Sequence, residues 1–262
     1  MISVNGEKIN VTKFSDQTSQ VWNVSGISGL TAVVVWNFEL ESEFLHLAQL
    51  KTLLDKKGIR ATLHMPYLPY ARQDKPVNNQ NTFALITFAK LINDLKFEAV
   101  FAVDPHSEVP KELIKNFTPI IPFNYIRIAE IHTQSDVMCF PDKGAMTKYG
   151  KYFKPERYVY GEKVRNQQTG KLEDMKLVGD VKDKNVLIVD DICDGGGTFC
   201  WMAQLLYDAG AKSVNLYTTH GIFSKGLRPL REAKIERIFT KDGEISEYHK
   251  HIVYKPMENT EL

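Results

Sequence analysis

The chain is poor in cysteine, carries almost no net charge, and lacks any apolar run long enough to cross a membrane. Three cysteines, Cys139, Cys193 and Cys200, are scattered over 262 residues. So few, so unevenly spaced, build neither a disulfide framework nor a zinc cluster. They read as free thiols in a reducing compartment. No apolar stretch approaches the ~20 residues of a membrane helix, so no membrane partner is expected. The first 14 residues are polar and are broken by Gly6 and Lys8, so no secretory leader is read and a cytoplasmic location is expected. Lys and Arg number 33 against 32 Asp and Glu, a formal charge of +1. That balance gives no case for a nucleic-acid partner. Low-complexity tracts are also missing.

What is present is the make-up of a globular protein, 43% hydrophobic and 25% charged. The length exceeds that of most single domains, so one large or two smaller domains are expected. Strand and helix patterns alternate along the chain. Strands are read at Thr31–Trp36, Arg60–Met65, Ala99–Val103, Asp136–Phe140, Tyr158–Tyr160, Lys176–Val178, Asn185–Val189 and Ser213–Thr218. Helices are read at Glu41–Lys57, Phe83–Leu95, Lys143–Phe153 and Thr198–Ala209. This alternation argues for an α/β protein with parallel sheets. The segment Lys163–Lys171 is polar and turn-rich and reads as a mobile flap.

The most informative stretch is Val186–Thr198, VLIVDDICDGGGT. A buried strand runs into Asp190 and Asp191. Asp194 follows, then Gly195, Gly196, Gly197 and Thr198 at a helix start. Glycines let backbone amides approach an anion, and the helix start adds positive potential, so the run reads as a phosphate cradle. The paired aspartates suit sugar hydroxyls, or a divalent cation carried by the ligand. Cys193 lies inside this loop, and nothing marks it as a nucleophile. Ala99–Val103 delivers Asp104 and His106 to its carboxyl end, where ligands bind in open α/β sheets.

The run resembles the phosphoribosyl-diphosphate loop of the type I phosphoribosyltransferase fold. A second set of motifs narrows the resemblance. Tyr70-Ala71-Arg72-Gln73-Asp74, followed by Val103-Asp104-Pro105-His106, is similar to the ribose-phosphate diphosphokinase (phosphoribosyl-diphosphate synthetase) family. Phe14-Ser15-Asp16, Pro141-Asp142-Lys143-Gly144, Lys163-Val164-Arg165 and Thr219–Ser224 resemble further segments of that family in the same order.

The resemblance implies two similar α/β domains with parallel-rich sheets flanked by helices, and an active site between them. Residues 1–120 would form an ATP-contacting domain and 121–262 a ribose-phosphate-binding domain. It implies an enzyme, a diphosphotransferase that passes the β,γ-diphosphate of ATP to the 1-hydroxyl of ribose 5-phosphate and releases AMP. Phe14, Asp16, Arg72, Gln73, Asp74 and His106 would contact ATP. Asp190, Asp191, Asp194, Gly195, Gly196, Gly197 and Thr198 would hold the ribose phosphate. His106 and Asp142 would touch Mg²⁺, and Lys163 and Arg165 would act on the transferring group. A homo-oligomer, at least a dimer, is implied as well.

Four departures from the family pattern stand out. Gly195 replaces a threonine of the phosphate loop. Thr18 stands where the adenine loop carries a glutamate. Lys75–Asn81 is rich in amides where the family is rich in arginine, and Lys148 replaces an arginine. The end of the chain also reads as lacking the family's final helix. A loop with fewer donors and more room suggests a second acceptor, a ribose 5-phosphate ester such as ADP-ribose. Two further alternatives are a phosphoribosyltransferase, which the Tyr70–Asp74 and Val103–His106 motifs argue against, and an inactive regulatory homologue. Retention of Lys163, Arg165, Asp142, His106 and both loop aspartates argues against the latter.

Overall fold

A computed structural model describes residues 1–22, 27, 29–76, 78, 81–165, 172–246 and 253–255, with backbone alone at 163–165, 172–175, 246 and 253–255. The chain divides into two compact units, Met1–Ile121 and Pro122–Leu262.

The first unit comprises β1 (Ile2–Val4), β2 (Glu7–Lys8), β3 (Val11–Lys13), β4 (Ser19–Val21), β5 (Thr31–Trp36), α1 (Glu43–Lys56), β6 (Arg60–Met65), α2 (Ala84–Asp94), β7 (Ala99–Val103), α3 (Val109–Leu113) and β8 (Phe117–Ile120). Its main sheet has the order β2-β1-β5-β6-β7-β8, and β3 and β4 form a separate hairpin. Strands β5 to β8 run parallel, while β1 and β2 are antiparallel additions. Alternation in β5 and β6 sends Ala32, Val34, Trp36, Ala61, Leu63 and Met65 into the core. There they meet Leu47, Leu50 and Leu54 of α1 and Leu85, Phe88 and Ile92 of α2. The helix spacing of those side chains is what makes one face of each helix apolar.

The second unit comprises α4 (Phe123–Thr133), β9 (Val137–Phe140), α5 (Lys143–Tyr149), β10 (Tyr158–Arg165), β11 (Leu172–Val178), β12 (Asn185–Cys193), α6 (Gly197–Asp208), β13 (Ser213–Gly221), α7 (Arg228–Glu232), β14 (Ile235–Thr240), β15 (Gly243–Ser246) and β16 (Val253–Lys255). The sheet order is β11-β10-β9-β12-β13-β14-β15-β16. Its centre, from β10 to β14, is parallel, and antiparallel strands close both edges. Val186 to Val189 and Val214 to Thr219 are buried without interruption. A central parallel strand covered on both faces needs such continuous burial, which Val186 to Val189 meet with an apolar run and β13 meets while also burying Asn215, Thr218 and Thr219. Two α/β units with parallel-rich sheets are thus observed, as the family resemblance implies.

Several boundaries differ from the sequence reading. Strand β12 runs on through both aspartates to Cys193, because Asp190, Ile192 and Cys193 continue the parallel ladder opposite Thr218, His220 and Gly221. Helix α5 stops at Tyr149 and tightens into a 3₁₀ turn over Gly150–Tyr152. The proposed flap is corrected in part. Lys163 and Arg165 lie in β10, paired antiparallel with Met175 and Leu172 across a bulge at Val164/Arg165. Ladder hydrogen bonds from β11 hold that stretch extended. Residues 166–171 lie outside the described residues.

Candidate functional site

The phosphate loop is built by the end of β12 and the start of α6. Gly196 is the N-terminal cap of α6, with a left-handed φ of 78°. Its carbonyl accepts the amides of Phe199 and Cys200, both at 3.0 Å. The first amides of a helix have no carbonyl partner within it, and Gly197 and Thr198, which carry them, are exposed. This leaves an anion-binding terminus on a helix of 12 residues.

The carboxylates gather just before the loop. Asp191 is 5% exposed, and Lys148 Nζ lies 3.7 Å from its Oδ2. Asp190 accepts the Asp191 amide at 2.9 Å. Asp190 as a whole is half-buried. Burial raises the Asp190 carboxyl well above the usual range, and the negative charges of Asp191 and Asp142 add to that rise. Asp142 caps α5 by accepting the Ala145 amide at 3.0 Å. The structure thus brings Asp142, Lys148, Asp190 and Asp191 into one electrostatic neighbourhood beside the glycine loop. Cys193 is fully buried, and burial pushes its thiol up to about 12, so it stays a protonated packing residue.

The connection after β13 backs the loop. Ile222 and Phe223 donate their amides to the Cys193 carbonyl at 2.8 and 3.1 Å. Phe223 folds back so closely that a Cβ on Gly221 would sit 2.0 Å from its ring. Gly221 therefore has to be glycine. This clip lays the stem of Lys225 against Gly195, with Lys225 Cε 3.5 Å from the position of a Gly195 Cβ. Lys225 is the residue that sequence reasoning missed. The available signal was its place directly after the segment Thr219–Ser224.

In the first unit, the two other motifs follow the carboxyl ends of adjacent strands, β6 and β7. Tyr70 takes a left-handed φ of 62°, an uncommon choice for an aromatic residue. Its hydroxyl donates to Glu41 Oε1 at 2.6 Å, and that bond, with burial, pushes the phenol up to about 12. Its carbonyl accepts the Gln73 amide at 2.9 Å. The turn leaves Arg72 and Gln73 exposed and Asp74 half-buried. Asp104 is buried with a φ of 50° and donates its amide to the Ile120 carbonyl at 2.9 Å. His106, two residues on, is exposed.

Phe14 and Asp16 occupy the turn of the β3–β4 hairpin, and Phe14 is 43% exposed. Asp16 Oδ1 accepts the Thr18 hydroxyl at 2.7 Å and its amide at 3.0 Å. Those bonds hold the Asp16 carboxyl below its ordinary value. Thr18 therefore acts on Asp16 rather than standing in for a second carboxylate. The hairpin is tied to α1 by Ser19 Oγ with His46 Nε2 at 2.7 Å and by Gln49, which gives His46 a structural role.

No group of three or more His, Cys, Asp or Glu side chains that could hold a metal ion occurs among the described residues. Mg²⁺ takes one or two carboxylates, keeps several waters and draws its remaining oxygens from substrate phosphates. The oxygen donors of Asp142, Asp190 and Asp191 fit a cation that arrives with a diphosphate.

A family model described as the phosphoribosyl transferase domain matches residues 154–254, which include the glycine loop. The chain is 28% identical to a ribose-phosphate pyrophosphokinase of Brucella melitensis over 251 residues, covering 90% of this chain and 79% of that one. It is also 28% identical to the Staphylococcus epidermidis ribose-phosphate pyrophosphokinase over 231 residues, 83% of this chain and 71% of that one. The fold matches the crystal structure of phosphoribosylpyrophosphate synthetase from Mycobacterium smegmatis with a TM-score of 0.72 and 22% identity, covering 89% of this chain and 79% of that one. The glycine loop, the paired aspartates and the Tyr70–Asp74 and Val103–His106 motifs all lie at strand ends, and over most of its length the chain is similar to ribose-phosphate pyrophosphokinases.

Proposed function

We propose that the protein transfers the β,γ-diphosphate of ATP to the 1-hydroxyl of ribose 5-phosphate. The 1-oxygen attacks the β-phosphorus, the bond from that phosphorus to the α,β-bridging oxygen breaks, AMP leaves with the bridging oxygen, and the hydroxyl proton passes to solvent. The observation that supports this best is the glycine-capped terminus of α6 directly after the Asp190–Asp191 pair. Amides of Gly197 and Thr198 would bind the 5-phosphate, with Gly195, Gly196 and Asp194 shaping the loop. Asp190 and Asp191 would take the ribose hydroxyls. Carboxylates at these two positions can accept hydrogen bonds from the hydroxyls.

Arg72 would bind ATP phosphates, since a guanidinium suits bidentate contact, and Gln73 would orient the nucleotide without adding charge. Asp74, His106, Phe14 and Asp16 complete the proposed ATP set. Lys163 and Arg165 are proposed to act on the transferring group because Lys163-Val164-Arg165 resembles the family's Lys/Arg segment. Mg²⁺ arriving with the substrate phosphates would neutralise charge on the diphosphate, with Asp142 of the second unit and His106 of the first each proposed from the family resemblance as a contact. Such a transfer depends on positioning and charge neutralisation more than on covalent help. Assembly to at least a dimer and a cytoplasmic location are proposed with this reading.

A second acceptor, a ribose 5-phosphate ester such as ADP-ribose, is favoured by one observation. Gly195 has no left-handed φ, and a Cβ there would make only ordinary contacts, so the fold does not require glycine at that point. The test is AMP release from ATP and Mg²⁺ with each acceptor offered alone. Release with ribose 5-phosphate, and no need for a nucleobase, is the expected result. No AMP with either acceptor overturns diphosphoryl transfer in favour of a binding homologue. The room left by Gly195 is tested by Gly195→Thr, which should lower the rate on ADP-ribose relative to ribose 5-phosphate. An unchanged ratio sinks the steric argument.

A further inference from the structure

Gly195 and Gly196 are adjacent and alike in sequence, yet the structure treats them differently. At Gly196 the φ of +78° and a Cβ position 3.0 Å from Leu230 Cδ2 both demand glycine. At Gly195 neither demand exists. A Cβ there would meet only the stem of Lys225, at 3.5 Å from Cε, 3.6 Å from Cδ and 3.9 Å from Cγ. The bare backbone of Gly195 therefore faces three carbons of one lysine. A Cβ on Gly197 would meet nothing within 4 Å, so the space beside that residue is open.

Lys225 is held in place by its backbone. Phe223 has a left-handed φ of 46°, its amide bonds the Cys193 carbonyl, and its carbonyl accepts the Gly226 amide at 2.7 Å. The side chain is exposed. Among the described residues it has no recorded ion pair, in contrast to the nearby Arg228, which bonds Glu232 at 2.7 Å. A lysine whose stem is laid along a loop keeps its charged head in water beyond that stem.

A 5-phosphate monoester seated on the α6 terminus is met by backbone amides. An acceptor with a second phosphate carries additional negative charge one P–O–P bridge farther out. That outer charge needs a partner that reaches beyond the amides. We propose that Lys225 is a specificity-determining residue whose ammonium meets the second phosphate of an acceptor in which ribose 5-phosphate is esterified as a diphosphate, with the bare face of Gly195 letting the lysine stem lie against the loop. This rests on the diphosphoryl-transfer reading of the same loop and names the acceptor class that the loop selects.

The test uses the full chain and Lys225→Met, which keeps the apolar stem and removes the charge. Binding of ADP-ribose without ATP is followed by calorimetry, and AMP release is measured with ADP-ribose and with ribose 5-phosphate. The variant is expected to weaken ADP-ribose binding and raise its KM about tenfold with little change in kcat. Lys225→Arg should restore both, and the KM for ribose 5-phosphate should move less than about threefold. Equal effects on the two acceptors, no effect on ADP-ribose, or a wild-type chain that does not bind ADP-ribose each overturn the proposal. The two readings fail separately. Lys225-dependent ADP-ribose binding without any AMP release would sink the reaction and leave this inference standing. AMP release from ribose 5-phosphate without ADP-ribose binding would do the reverse.

Discussion

The glycine loop of the second unit and the Tyr70–Asp74 turn of the first both follow a parallel strand, yet they are built by opposite means. The loop turns at Gly196, where a left-handed φ costs almost nothing. The turn places Tyr70 in the same region of backbone space, where a side chain costs roughly 1–3 kcal/mol. Glu41 and the ring of Phe88, 5.2 Å from that of Tyr70, hold the residue there. The difference matches what each segment presents. The loop offers backbone amides, which work best with no side chain in the way. The turn offers the side chains of Arg72 and Gln73, and a stapled aromatic anchor fixes their direction. A rigid strand end thus becomes a site either by removing side chains or by anchoring them.

The comparison breaks most sharply at Gly196. Gly196→Ala should force the left-handed backbone onto a residue with a Cβ and press that atom against Leu230 Cδ2. A loss of about 1–2 kcal/mol is expected from the backbone alone. A shifted cradle should also lower kcat/KM by roughly 10²-fold. Gly195→Ala meets only ordinary contacts with Lys225, and its kcat/KM for ribose 5-phosphate should stay within about threefold of the starting value. Thermal melts and AMP-release kinetics on the two variants give the result. If both lose activity equally, the loop needs bare backbone throughout and not merely a glycine turn.

Asp190 tests the cost of gathering carboxylates beside the loop. Its folded carboxyl is raised above the ordinary value by burial and by Asp191 and Asp142. A raised carboxyl binds more protons in the folded chain than in the unfolded one, so stability falls as pH climbs through the window between the two pKa values. Asp190→Asn removes this penalty. The variant should therefore melt higher than the parent above that window. The gain should vanish toward pH 4, near the unfolded aspartate pKa. Its activity should fall sharply at every pH. A variant that is less stable at neutral pH would show that Asp190 serves the fold as well as the ligand.

How much of this was legible in sequence depends on whether the signal was local. Strands β5, β6 and β7 were readable to the residue, because alternation and turn residues mark both ends. The end of β12 was misjudged by four residues, since paired aspartates look like a strand end and only the ladder to β13 shows otherwise. Helix α4 gave little warning. Its cap, Pro122, supplies no side-chain acceptor, and Ile126, Ile128 and Ile131 resemble strand residues as much as helix ones. Within the site, the loop, the aspartates and the Tyr70 motif are contiguous and so were visible. The Lys225 contact spans 30 positions from Gly195 and depends on the fold-back of Phe223 over Gly221. No spacing rule within a single segment contains that information.

The smallest expected effect sharpens the other half of the comparison. Tyr70→Phe keeps the ring on Phe88 and removes only the hydroxyl that donates to Glu41 Oε1. Because Glu41 is exposed, the stability lost should be about 1 kcal/mol, the net worth of an ordinary hydrogen bond. The informative readout is kinetic. If the bond anchors the direction of Arg72 and Gln73, the KM for ATP should rise severalfold while the KM for the sugar phosphate stays fixed, because the amide cradle is formed independently by α6. A change in both KM values, or in neither, would mean that Tyr70 stabilises the first unit without aiming its side chains. Glu41→Gln then separates charge from geometry. It retains an acceptor for the phenol while abolishing the carboxylate that helps push Tyr70 up to about 12, so a turn held by geometry should keep its ATP affinity.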